Sequence, residues 1–134
     1  MLKFKLNASS RIVASLMLIS TELFFSAQLL AAEVLQFELV IKDHLFSPST
    51  LYLPAGQKIK LVIHNQDAVP EEFESFSLNR EKVIVAHGKG VVFLGPLSAG
   101  QHEFIGEYHP DSARGLIVVL SAEAWQQRST TDAH

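Results

Sequence analysis

Two short segments concentrate the acidic and imidazole side chains of this chain: Pro70-Glu71-Glu72-Phe73-Glu74 and Gly106-Glu107-Tyr108-His109-Pro110-Asp111. Three carboxylates within four residues repel one another, so such a cluster requires cations or open water. Carboxylates and an imidazole from separate loops suit a metal such as Cu(II), Fe, Mn or Zn. The candidate ligands are His109, Glu71 and Glu107, with Glu72 and Asp111 as second choices and His44 or His87 to complete a site. Arg114 is the candidate to hold a carboxylate in position. The competing explanation is a solvated acidic loop end with surface ion pairs to Arg80, Lys82 or Arg114, which contribute little.

Other polar residues carry weaker signals. His64 closes an apolar strand beside Asn65 and reads as a core or rim histidine, whereas His102, next to Glu103, reads as a surface residue. Ser112 lies near His109 and Asp111, but no nucleophile elbow precedes it, which argues against nucleophilic catalysis. His87-Gly88-Lys89-Gly90 lacks the spacing of a phosphate loop and reads as a turn.

The elements that must position these residues are short. The 134-residue length fits one domain, and 48% hydrophobic with 19% charged residues excludes a disordered chain. A net charge of −3 gives no basic stripe for nucleic acid. The absence of Cys excludes disulfides, a zinc–thiolate site and a cysteine nucleophile. Val, Ile and Phe dominate runs that predict strands near 34–42, 50–53, 58–64, 72–77, 80–85, 90–94, 101–107 and 116–120. Turn residues bound each run, a pattern of β-sandwiches and barrels. Ser121 is placed to cap one helical turn through Trp125, and a frayed tail is expected beyond Gln127.

Strand parity makes a further prediction. If successive strands alternate in direction, turns 54–57, 78–80 and 95–100 share one end of the sandwich. Connections 43–49, 65–71, 86–90 and 107–115 share the other. That second end collects His44, Glu71, His87, Glu107, His109 and Asp111, with Glu72 at its edge. Within a strand, Glu72 and Glu74 share one face while Glu71 points with Phe73, so the three acids do not converge on one ion.

The N-terminus has a different character. Lys3, Lys5 and Arg11 precede a mostly apolar stretch over 12–31, as in a secretory signal peptide cleaved near Ala31-Ala32. The alternative is an uncleaved membrane anchor, which Glu22 in mid-span disfavours. The expected organisation is a leader over 1–32, a domain over 33–122 and a short tail over 123–134. Both Met residues, Met1 and Met17, leave with such a leader, so the remaining 102 residues contain no sulfur and carry a net charge of −5.

Asp43-x-x-Phe46-x-Pro48, Leu51-x-Leu53-Pro54-Ala55-Gly56 and the strand ending His64-Asn65 resemble the first half of a cupredoxin domain. Gly100-x-x-x-Phe104, a His-containing loop and Gly115-x-Ile117-Val118-Val119 resemble the second half. The resemblance covers nearly all of 34–120 and implies an all-β, cupredoxin-like Greek-key sandwich. Blue-copper members place His, Cys, His and Met around the site. Aligned on the flanking motifs, Glu71, Gly106, His109 and Ala113 stand at or near those positions, so only His109 retains its ligand type.

Glu71-Glu72-Phe73-Glu74-Ser75, Leu78-x-Arg80-Glu81-Lys82-Val83, Gly95-Pro96-Leu97 and the stretch Gly106 to Gly115 further resemble a cupredoxin-like subfamily of bacterial iron uptake. That resemblance implies a periplasmic protein binding copper or iron without a blue-copper centre. It also implies partners among periplasmic or inner-membrane iron-uptake proteins, including an iron permease. At most a ferroxidase-type redox role follows. The alternative is a metal-free sandwich that docks a partner through its acidic end.

Overall fold

The computed structural model describes residues 33–131, so the expected leader lies outside the described residues. Nine strands and one helix follow in order. They are β1 (Leu35–Lys42), β2 (Leu45–Ser47), β3 (Thr50–Pro54), β4 (Ile59–Asn65), β5 (Glu71–Ser75), β6 (Arg80–Ile84), β7 (Lys89–Leu94), β8 (Gly100–Gly106), β9 (Arg114–Leu120) and α1 (Ala122–Thr131). One sheet has the order β2-β1-β4-β7 and the other β3-β9-β8-β5-β6. The pairs β1/β4 and β3/β9 are parallel, so the chain crosses between sheets rather than meandering within one.

Alternation along the strands explains the packing. Leu39, Ile41, Leu61, Ile63, Val92 and Leu94 from the first sheet meet Leu51, Leu53, Phe73, Phe104, Ile117 and Val119 from the second. Burying each such side chain contributes about 1.5–3 kcal/mol against the entropy of ordering the chain. Phe46, Phe73 and Phe104 form an edge-to-face and tilted cluster, with Phe104 4.9 Å from Phe46 and 5.3 Å from Phe73 between ring centroids. The Phe104 ring lies across its cross-strand partner Gly115, where an added Cβ would stand 2.1 Å from Cζ.

The loops sort by end as strand parity requires. Gly56 donates its amide to Leu97, joining two turns of one end. At the other end Gln66 donates to Ile41, Asn65 to Gly88 and His87 to Asp67.

Two features differ from expectation. Residues 43–49 are not a plain connection but contain β2, whose Phe46 is only 5% exposed. The tail does not fray beyond Gln127; α1 continues to Thr131. Ser121 Oγ accepts the Ala124 amide as the expected cap, Trp125 packs edge-on against Phe37, and Arg128 lies 3.8 Å from the Tyr52 ring centroid. These contacts anchor a helix of 10 residues, a length that is marginal for an isolated helix in water. Among the described residues no helix is long and apolar enough to cross a membrane.

Candidate metal centre

Glu71 opens β5 on the inward face, with Phe73 and Ser75. Its carboxyl is 1% exposed, and a buried charge needs hydrogen-bonding partners. Oε1 accepts the backbone amides of Glu72 and Tyr108, each at 3.0 Å, and Oε2 lies 2.6 Å from His109 Nδ1. The amides, not Arg114, hold this carboxylate; Arg114 is exposed at the start of β9.

His109 sits on the tight loop joining β8 to β9. Its amide donates to Gly106, and its carbonyl accepts the amides of Ser112 and Ala113. Gly106 is needed here: an added Cβ would stand 2.7 Å from Glu71 Cδ and 2.6 Å from the Ala113 Cβ. The Glu71 carboxyl therefore fills the space above the Gly106 backbone.

His44 arrives from the two-residue connection between β1 and β2. Lys42 pairs with Leu45, and Asp43 and His44 both have positive φ, at 53° and 59°. Positive φ at both central residues is what a type I′ hairpin requires, usually met by Asn-Gly. The His44 ring stacks on His109, with centroids 3.7 Å apart and planes 16° from parallel.

His44, Glu71 and His109 form a group whose ligand atoms lie within 4.8 Å of one another. Two imidazoles and one carboxylate, without sulfur, fit a borderline or hard ion such as Cu(II), Zn(II) or iron. An imidazole lone pair lies in the ring plane, so two nearly parallel rings do not point at one atom. Sharing an ion therefore requires the His44 ring to turn from its stack.

The remaining candidates lie apart from this group. Glu72 and Glu74 face outward on β5, opposite Val83 and Glu81 of β6. Glu107 faces Glu74: hydrogen bonding to Glu107, together with desolvation and the charges of Glu107, Glu72 and Glu81, pushes the Glu74 carboxyl up to about 7. Asp111 is exposed on the β8–β9 loop. His87 is exposed, on positive φ, beside His64 in a shallow groove outside the first sheet. His64 pairs with Glu38 and lowers that carboxyl from its ordinary value, while His102 bonds Ser77. Both therefore sit at the surface.

Sequence reasoning missed Asp67. Its carboxylate accepts the amides of Asp43 at 2.7 Å and His44 at 2.9 Å, and lies 3.5 Å from His44 Nδ1. The His44 amide first, then that of Asp43, holds this carboxyl below its ordinary value. Asn65, 2% exposed, anchors the loop by donating to Val69 and Ile84 and accepting the Asp67 amide. The pattern Asn65-x-Asp67 was the available signal.

A family model described as cupredoxin-like domain matches residues 12–119. An uncharacterized protein of Rickettsia prowazekii (strain Madrid E) is 43% identical over 86 residues, covering 64% of this chain and 69% of that protein. Among solved structures, auracyanin A, a "blue" copper protein from Chloroflexus aurantiacus, is similar at a TM-score of 0.57 and 15% identity, covering 66% of this chain and 100% of that one. The metal-binding domain of the Cu(I)-exporting P-type ATPase CopA of Streptococcus pneumoniae D39, solved with Cu(I), gives a TM-score of 0.56 at 15% identity, covering 66% and 97%. At such identities these two likenesses speak to the fold.

Proposed function

The chain belongs to the cupredoxin-like domain family, and on that premise we propose that it is an exported metal-binding protein holding one copper or iron ion on His44, Glu71 and His109. The observation that carries the proposal is the convergence of two imidazoles and a buried carboxylate from three separate loops. A chain without Cys has no thiolate for a blue-copper centre, and oxygen and nitrogen ligands favour the higher valence of a redox ion. The role we assign is periplasmic iron acquisition: Fe(II) oxidation, or handoff of an ion or electron to an iron permease.

The chain's own residues divide the work. Glu71 supplies the negative charge, fixed by two amides before any ion arrives. His109 lends Nδ1, and the proton between it and Glu71 must leave when a metal ion takes that place. A bound ion that changes valence would supply the redox chemistry.

The acidic outer face of the second sheet, with Glu72, Glu74, Glu81 and Glu107, supports a second reading as a partner-docking module. Elemental analysis of protein isolated from its own periplasm separates the two. Copper or iron near one ion per chain supports the metal protein. A folded, metal-free protein that forms a salt-sensitive complex supports docking. Fe(II) consumption by the isolated protein in oxygen tests the oxidase role.

A further inference from the structure

We infer that Asp67 is the positioning residue that makes His44 a metal ligand; the inference rests on the metal site proposed above. Asp67 lies four residues before Glu71, on the loop that also delivers that ligand. One of its carboxylate oxygens accepts the Asp43 amide and the other accepts the His44 amide. Both donors belong to a turn whose non-glycine residues hold positive φ, a strained conformation that persists only where surrounding contacts enforce it. Phe46 anchors the far side of the turn in the core, and Asp67 holds its tip.

The same carboxylate also faces the ring. Asp67 Oδ2 lies 3.5 Å from His44 Nδ1, within ion-pair distance. A carboxylate facing one ring nitrogen favours a proton there and leaves the other nitrogen's lone pair free for a ligand. Nδ1 is the nitrogen that faces Asp67, so once the ring has turned from its stack on His109, Nε2 of His44 is the ligating atom. Asp67 also accepts the His87 amide through its backbone carbonyl, so the loop that carries it is tied on two sides. Glu71 and His109 depend on none of these bonds: their partners are the amides of Glu72 and Tyr108 and each other.

The test uses Cu(II) as the probe and compares wild type with Asp67→Ala, Asp67→Asn, His44→Gly and Asp67→Ala/His44→Gly. Calorimetry gives affinity, and pulsed electron paramagnetic resonance counts the coordinated imidazoles. Wild type should show two imidazoles. Either Asp67 variant should show one, with affinity reduced about 10–100-fold as for loss of an outer-sphere partner. In the His44→Gly background, Asp67→Ala should change affinity less than about twofold, since the coupling runs through His44. Urea unfolding of the metal-free variants shows that each is folded. Two retained imidazoles in Asp67→Ala, an equal loss in both backgrounds, or one imidazole in wild type would overturn the inference while leaving a Glu71–His109 site standing. A wild-type protein that binds no Cu(II) overturns both.

Discussion

Replacing Glu71 by Gln removes one charge and keeps the side chain's shape. The Gln carbonyl can still accept the amides of Glu72 and Tyr108, now without charge assistance, while an amide group faces His109 Nδ1 in place of Oε2. A hydrogen bond to a charged group contributes about 1.5–3 kcal/mol, and a neutral one about half as much. The metal-free domain should therefore lose about 1.5–3 kcal/mol at pH 7. At about 4–8 °C per kcal/mol for a domain of this size, Tm should fall by roughly 6–24 °C. The Cu(II) affinity should fall further than the stability effect alone explains. A unit charge about 4 Å from an ion contributes up to about 4 kcal/mol per ionic charge at an effective dielectric constant near 20. With both imidazoles retained, a net loss of about 1.4–2.8 kcal/mol, or 10–100-fold, is expected. Thermal unfolding and calorimetry read the two effects separately. Lower stability with unchanged Cu(II) affinity would make Glu71 a structural carboxylate and refute its assignment as ligand; no change in either would refute the buried network as well.

Gly106→Ala forces a methyl group against the Glu71 carboxyl and Ala113, so stability should drop by about 1–3 kcal/mol and Cu(II) binding should weaken, as read by urea unfolding and calorimetry. His44→Gly removes a non-glycine residue from positive φ and should stabilise the metal-free protein by roughly 0.5–1 kcal/mol in urea while weakening Cu(II) binding, a trade of stability against function. Glu74 is shifted from an ordinary value of 4.5 to about 7, so the folded state holds its proton more tightly than the unfolded chain. Its stabilising contribution is complete below pH 4.5 and lost as pH rises through about 7, and Glu74→Gln should flatten that decline in the urea midpoint.

Alternation made much of the fold legible. It separated Glu71 from Glu72 and Glu74, because period-two packing puts Glu71 on the same side as Phe73. Parity of strand direction assigned the loops to the two ends without any side-chain detail. What stayed hidden depends on contacts distant in sequence. β2 is three residues long and is recognisable only through its pairing with β1 and the burial of Phe46. That His44 rather than His87 joins Glu71 and His109 follows from a turn that points one ring onto His109 and leaves the other beside His64. Asp67 acts on residues 23 and 24 positions earlier, a reach that no local pattern carries. The helix extends because Trp125 and Arg128 find Phe37 and Tyr52, partners more than 70 residues away.

A Cu(II) titration of the wild-type protein beside the triple variant His44→Gly/Glu71→Gln/His109→Ala asks whether these three residues hold the ion. The wild type should take up one ion per chain with imidazole nitrogen couplings, and the folded triple variant should bind at least a thousandfold more weakly. Equal binding by the two proteins would place the ion elsewhere and rule out a site on His44, Glu71 and His109.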